Sequence, residues 1–362
     1  MRSPRWIQAL CRKQRYGGSI PPRISNMLSP QQYIEDKLLY LKQTGSLTSL
    51  DGNASENIFR VIMSKKYRKY SAPPDLQTKI IEAINHSLKN NSPIEFVWVF
   101  GAYKLWSLDV APEVDWAELF SMIYFITWLK PILNIYKPGV HFDFFSDDII
   151  VPIMNNVPKE DTKAYINSFN KLLGFIHAYL PANFKLTLNR VIDQYPNQQH
   201  FEAELEENIN KLTSIRQKEP ISLTPQQINM INLNVYLPSK STLNLNRQQK
   251  IQIIHDAYSL ATKRRPYYRN PNKIMVNNTS IPGAIGIGTT KTSVTKFWTG
   301  VGVLEKRDDS YIERILSPQQ LEQAQKLPHK TIKVDLIDLK NFKTIDIYDQ
   351  PFNFTKRTLL SP

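Results

Sequence analysis

The chain has 362 residues, 41% hydrophobic and 22% charged, enough for one large globular domain or two ordinary ones. Its single cysteine, Cys11, excludes a disulfide framework and a thiolate metal cluster, and no apolar run reaches the roughly 18 residues of a membrane span. The formal net charge is +14; the first 34 residues supply six of it and hold no acid, and the remaining basic residues are scattered. A nucleic-acid-binding or interaction protein and an enzyme for phosphorylated small molecules both fit that balance.

Residues 1–26 read as a basic disordered tail carrying Gly17-Gly18 and Pro21-Pro22, a composition shared by transit peptides. Residues 27–90 read as a helical N-terminal segment. Ser29-Pro30 opens its first helix, with Ile34, Leu38 and Leu41 at helical spacing. Ile58 to Met63 forms a further segment before the basic run Lys65-Lys66-Tyr67-Arg68-Lys69, and Leu76 to Leu88 a second helix. Residues 91–362 read as an α/β domain of catalytic type.

There Phe96 to Phe100 is β-branched and aromatic, a buried strand. Asp115 to Leu129 reads as a helix, and the apolar stretch Leu119 to Ile135, broken by Lys130 and Pro131, as buried rather than membrane-spanning. Val140 to Phe145 and Ile149 to Met154 read as two strands around a Ser146-Asp147-Asp148 turn, followed by a helix from Asp161 to Tyr179. Phe201 to Ile215 is partly helical, Pro220 onward loop-like, and Arg247 to Lys263 a helix with Ile251, Ile254, Ala257, Tyr258 and Ala261 on one stripe. Strands are expected at Ile274 to Val276, Ile285 to Ile287, Phe297 to Leu304, Ile332 to Leu336 and Thr344 to Tyr348. The fold class is therefore α/β, a mixed central sheet flanked by helices, with an N-terminal helical segment.

No phosphate loop, dinucleotide fingerprint, nucleophile elbow or metal-ligand spacing occurs. Five blocks could carry chemistry. Lys104, between Tyr103 and Trp106 just past a strand, is either a desolvated amine or a surface lysine covering the indole. Asp115 and Glu118 have capping-box spacing, and one carboxylate could also face a site. Tyr136-Lys137-Pro138-Gly139 and Ser146-Asp147-Asp148 suit turns, either structural or facing a substrate. Tyr258 with Lys263, Arg264, Arg265 and Arg269 makes either a solvated helix end or an oxyanion clamp. Gly300 and Gly302, after Trp298, mark either a bulge or a close approach.

In their order these blocks resemble the pyoverdine/dityrosine biosynthesis family, the isocyanide synthases. The resemblance rests on Ala102-Tyr103-Lys104, Val114-Asp115-Trp116-Ala117-Glu118, Tyr136-Lys137-Pro138-Gly139, Ser146-Asp147, Ala257-Tyr258 with Arg265 and Arg269, and Phe297-Trp298. The chain departs from the family pattern at Leu105-Trp106, at Asp148 in place of a glycine, at Asn270 in place of a histidine, and at Thr299 after Trp298, as a diverged member would. The resemblance implies a cofactor-free, metal-free cytoplasmic transferase of secondary metabolism. The amine of tyrosine or tryptophan would attack the ketone of ribulose 5-phosphate and end as an isocyanide, with a pathway oxygenase as possible partner. It implies that Lys104, Glu118 and Asp147 are catalytic. Tyr103, Asp115, Ser146, Tyr258, Arg264, Arg265, Arg269 and Trp298 would bind substrate. Another small-molecule transferase on the same scaffold is the alternative.

Overall fold

The structure is a computed structural model and describes residues 28–43, 53–67, 73–219, 221–235, 244–262, 270–276, 285–289 and 297–352. The expected tail at 1–26 and Arg264, Arg265 and Arg269 lie outside the described residues.

Three helices come first: α1 (Pro30–Lys42), α2 (Ala54–Ile62) and α3 (Pro74–Lys89). Ser29 caps α1 by accepting from the Gln32 amide, and Asn53 caps α2 by accepting from that of Ser55. Their apolar stripes, including Ile34, Leu38, Ile58, Ile80 and Ile84, enter the same core as the strands that follow. Lys65 and Lys66 of the basic run are exposed, while Tyr67 packs on Tyr124 and Trp128.

Sheet A is wholly parallel, in the order β3-β2-β1-β4-β5. Its strands are β1 (Ile94–Phe100), β2 (Val140–Ser146), β3 (Phe184–Arg190), β4 (Lys273–Val276) and β5 (Ile285–Ile287). Alternation along β1 and β2 gives the sheet two faces. Phe96, Trp98, Phe100, Phe142 and Phe144 join the main core, with α4 (Trp116–Leu129) and α6 (Lys159–His177). Val97, Phe145 and Met275 form a second core with Phe201 and Leu205 of α7 (Gln198–Lys218) and Ala257 and Tyr258 of α9 (Leu245–Thr262). The expected mixed sheet is a separate sheet B, in the order β7-β6-β9-β8. It comprises β6 (Val301–Arg307), β7 (Ser310–Leu316), β8 (His329–Lys333) and β9 (Thr344–Tyr348), with α10 (Pro318–Ala324) after β7. Ile315, Ile345 and Ile347 bring sheet B into the main core.

Four local expectations are corrected. Ile149 to Met154 is not a strand: a turn leads into the short helix α5 (Val151–Met154), because β2 pairs in parallel with β1 and β3 and leaves no place for a hairpin partner. Pro220 onward is not all loop, since Thr224 and Gln227 build a capping box for α8 (Pro225–Asn234). Phe297 to Thr299 is a helical turn, so the strand expected from Phe297 starts at Val301 and leaves Trp298 outside it. The strand expected at Ile332 to Leu336 begins earlier, at His329, in register with β9.

Candidate functional site

The carboxyl ends of β1, β2 and β3 lie side by side, with Phe100 opposite Ser146 and Ser146 opposite Arg190. β1 lies between β2 and β4, so the strand order reverses there; ligands of open parallel sheets bind in the crevice at such a point.

The loop after β1 sends Lys104 inward. Its ammonium donates to Asp115 Oδ1 at 2.7 Å, to Glu118 Oε1 and Oε2 at 2.9 and 3.0 Å, and to the Phe297 carbonyl at 2.9 Å. Asp115 and Glu118 are also the capping box of α4: Asp115 Oδ1 accepts from the Ala117 amide, and Glu118 Oε2 from that of Asp115. Tyr165 of α6 donates to Glu118 Oε1 at 3.0 Å, and the Gly302 amide of β6 donates to Asp115 Oδ2 at 3.0 Å. The side chains of Lys104 and Glu118 are both 0% exposed. Burial pushes the Glu118 carboxyl up to about 8; Lys104 opposes this and the neighbouring Asp115 charge reinforces it. Burial acts to lower the Lys104 ammonium, but the Asp115 and Glu118 charges prevail and its pKa is raised. The cluster thus keeps a cation and is able to hold one exchangeable proton in a dry site.

Further contacts join this loop and β1 to the segment before β6. The Leu105 amide donates to the Trp298 carbonyl at 3.1 Å, and the Trp298 ring lies 5.9 Å from Trp98 and 6.2 Å from Phe100. Tyr103 is buried beside them, and burial raises its phenol far above the ordinary range. Gly302 reports a close approach by backbone: a Cβ there would meet Ala117 N at 2.3 Å and the Trp116 carbonyl carbon at 2.4 Å.

The turn after β2 forms the other wall. The Asp147 amide donates to the Phe100 carbonyl at 2.9 Å, which joins this turn to the end of β1. Tyr258 of α9 donates its hydroxyl to Asp147 Oδ1. Ser146 donates to Asp148 Oδ1 at 2.7 Å, and Arg190, the last residue of β3, grips the Asp148 carboxylate through Nε and Nη2.

The structure therefore brings Lys104, Asp115 and Glu118 into one cluster, and Ser146, Asp147 and Tyr258 into another. The bond from Asp147 to Phe100 links the two, and Tyr103 and Trp298 pack near the first. Tyr136-Lys137-Pro138-Gly139 stands apart. It precedes β2 at the opposite edge of the sheet, about 20 Å away for a seven-residue strand. Its work there is structural: the Tyr136 hydroxyl donates to the carbonyls of Ser87 and Ser92, and Gly139 has φ +73°. Tyr165 and Arg190 escaped sequence reading. Tyr165 was hidden as one more apolar-stripe residue of a helix, and Arg190 at the end of an unread strand whose signal is Phe184, Leu186 and Leu188 in alternation. Among the described residues no three His, Cys, Asp or Glu side chains gather as a metal site, and no helix is long and apolar enough to cross a membrane.

Over 82% of this chain and 100% of its own length, the crystal structure of PvcA from Pseudomonas aeruginosa superposes with a TM-score of 0.59 at 15% identity. This chain has the PvcA fold. Tyrosyl-tRNA synthetase from Aeropyrum pernix aligns over 66% of this chain and 62% of its own at 7% identity, and its TM-score of 0.32 argues nothing about fold. No family model matches the sequence, and no curated protein matches it.

Proposed function

We propose that the chain is a biosynthetic enzyme of the isocyanide synthase type, joining the amine of an aromatic amino acid to ribulose 5-phosphate. One observation carries the reading: the blocks around Lys104, Asp115, Asp147, Tyr258 and Trp298, scattered over about half the sequence, meet by hydrogen bonds and ring contacts along one edge of sheet A. Those are the blocks whose order resembles the isocyanide synthases, and the fold they sit on is that of PvcA. In this reading Asp147, in the turn after β2, holds the reacting amine. Lys104 and Glu118 serve proton transfer within their hydrogen-bonded cluster, where the Tyr165 hydroxyl donates to Glu118. Trp298 and Tyr103 give the aromatic wall. The basic residues Arg264, Arg265 and Arg269 would take the phosphate.

The test is incubation of the purified protein with tyrosine or tryptophan and ribulose 5-phosphate, followed by infrared spectroscopy for the isocyanide stretch. An isocyanide band supports the reading; no band, together with no thermal stabilisation by ribulose 5-phosphate, refutes it.

A second reading, a different transferase on this scaffold, is favoured by the pair of Asp148 and Arg190. Asp148 stands where the family pattern has a glycine, and its carboxylate puts an ion pair with Arg190 into the wall. Mass spectrometry showing a condensation product of other connectivity from the same substrates would support it over the first.

A further inference from the structure

The face of sheet A that meets α7 and α9 carries a line of hydrogen-bonded titratable groups that the candidate site does not use. At the amino end of the sheet, one cross-strand row sets Lys273 of β4, Glu95 of β1, His141 of β2 and Lys185 of β3 side by side. His141 Nδ1 lies 3.1 Å from Glu95 Oε1, and its Nε2 lies 2.8 Å from Thr187 Oγ1 of β3. Thr187 Oγ1 is in turn 2.7 Å from Asp143 Oδ1, which also accepts from Asn189 Nδ2 at 2.8 Å. The His141 side chain is 14% exposed and Asp143 is fully buried, so the line runs inward from near the surface. Asp143 shares its face of β2 with Phe145, whose ring lies in the second core with Tyr258.

The donors and acceptors along this line restrict where its hydrogens can be. Burial acts to raise the Glu95 carboxyl, but the His141 hydrogen bond and the His141, Lys273 and Lys185 charges prevail and lower it. Glu95 is therefore an acceptor only, and His141 Nδ1 holds a hydrogen toward it. Thr187 has one hydroxyl hydrogen and stands between two groups. When it donates to Asp143 it accepts from Nε2–H, and the ends are an imidazolium and a carboxylate. When it donates to His141 Nε2 it accepts from a protonated Asp143, and both ends are neutral. The two arrangements use the same heavy-atom positions. Passing from the first to the second breaks the Nε2–H bond and the Thr187 O–H bond, and forms a new Thr187 O–H bond and an Asp143 Oδ1–H bond, with no other reactant. The surroundings pull both ways. Glu95 and the Asn189 donor favour the charged ends, while Lys185, Lys273 and the burial of Asp143 favour the neutral ones.

We propose that His141, Thr187 and Asp143 form a proton relay, in which the Thr187 hydroxyl passes a proton between the part-exposed imidazole and the buried carboxylate. The relay lets Asp143 change charge without opening the sheet, and it stands independently of the isocyanide reading.

The experiment is nitrogen NMR of the full chain with isotope-labelled histidine, from about pH 5 to about pH 9, with His141→Gln assigning the signals. Neutral His141 should carry its hydrogen on Nδ1. Asp143→Asn removes the anion beyond Thr187, so Nε2 should lose its proton at a pH about 1 lower, a tenfold change in the equilibrium. In a Thr187→Val background the same substitution should have little effect, whereas Thr187→Ser, which keeps the hydroxyl, should retain the wild-type response. Valine keeps the β-branched shape that suits a strand, so the valine protein should fold. A neutral His141 with its hydrogen on Nε2 overturns the relay, because Thr187 has then no acceptor there. An Asp143→Asn response of equal size in the threonine and valine backgrounds also overturns it, because the two charges then act through space alone.

Discussion

Replacing Gly302 by alanine tests whether the contact between α4 and β6 is as tight as the geometry states. The added Cβ would lie 2.3 Å from Ala117 N and 2.4 Å from the Trp116 carbonyl carbon, both backbone atoms of a buried helix start that cannot swing aside. Overpacking of this kind costs about 1–3 kcal/mol. Relief by separating the strand from the helix breaks the Gly302 amide bond to Asp115 Oδ2 and leaves a buried carboxylate oxygen short of a donor, another ~1–3 kcal/mol. The sum, about 2–6 kcal/mol, is a large share of the roughly 5–15 kcal/mol of a folded domain. Urea denaturation followed by far-ultraviolet circular dichroism reads it as a lower midpoint at unchanged slope. Gly174→Ala is the control: it lies within α6 with nothing inside 4 Å of a new Cβ, so it should stabilise by about 0.5–1 kcal/mol. A Gly302→Ala protein within about 0.5 kcal/mol of wild type would refute the argument, since surface-like tolerance is incompatible with that packing.

Lys104→Met strands two buried carboxylates and should destabilise by about 3–5 kcal/mol, whereas adding Glu118→Gln to it should recover part of the loss in a double-mutant cycle. Glu118 also predicts a pH dependence: its folded value of about 8 lies above its ordinary 4.5, so the folded state holds the proton more tightly. That contribution is complete below about pH 4.5 and is lost as pH rises to about 8, and the loss should be absent in Glu118→Gln when denaturation midpoints are compared across this window.

Much of sheet A was legible because β1 and β2 are short β-branched and aromatic runs of strand length. β3 went unread although Phe184, Leu186 and Leu188 alternate with Lys185, Thr187 and Asn189 as in a half-buried strand, because that signal spans only five residues. β7 was missed for a related reason. It follows the two-residue turn Asp308-Asp309, and its signal is short: Tyr311 and Ile315 inward, with Glu313 and Arg314 between them. At the site, local chemistry could mark Asp115 and Glu118 as a cap, and it did. It could not supply Lys104 with its fourth acceptor, the carbonyl of Phe297, or Asp115 with the amide of Gly302, because those partners are set by topology alone. The two readings offered for Lys104, desolvated amine or surface residue, are separated by its complete burial. The glycine pair after Trp298 was read as bulge or close approach, and at Gly302 it is the approach of a helix.

The Lys104 cluster carries a consequence for how the protein is made. Lys104, Asp115, Glu118 and Tyr165 leave the ribosome well before Phe297 and Gly302, which complete their hydrogen bonds from 193 and 187 residues downstream. Until then the nascent chain has an ammonium and two carboxylates that it cannot bury without leaving donors and acceptors unmet. The parallel sheet is therefore unable to close its main core as an early, self-sufficient unit, and final docking waits for the segment leading into β6. A ribosome-stalled chain ending before residue 297 should remain protease-sensitive across the loop after β1.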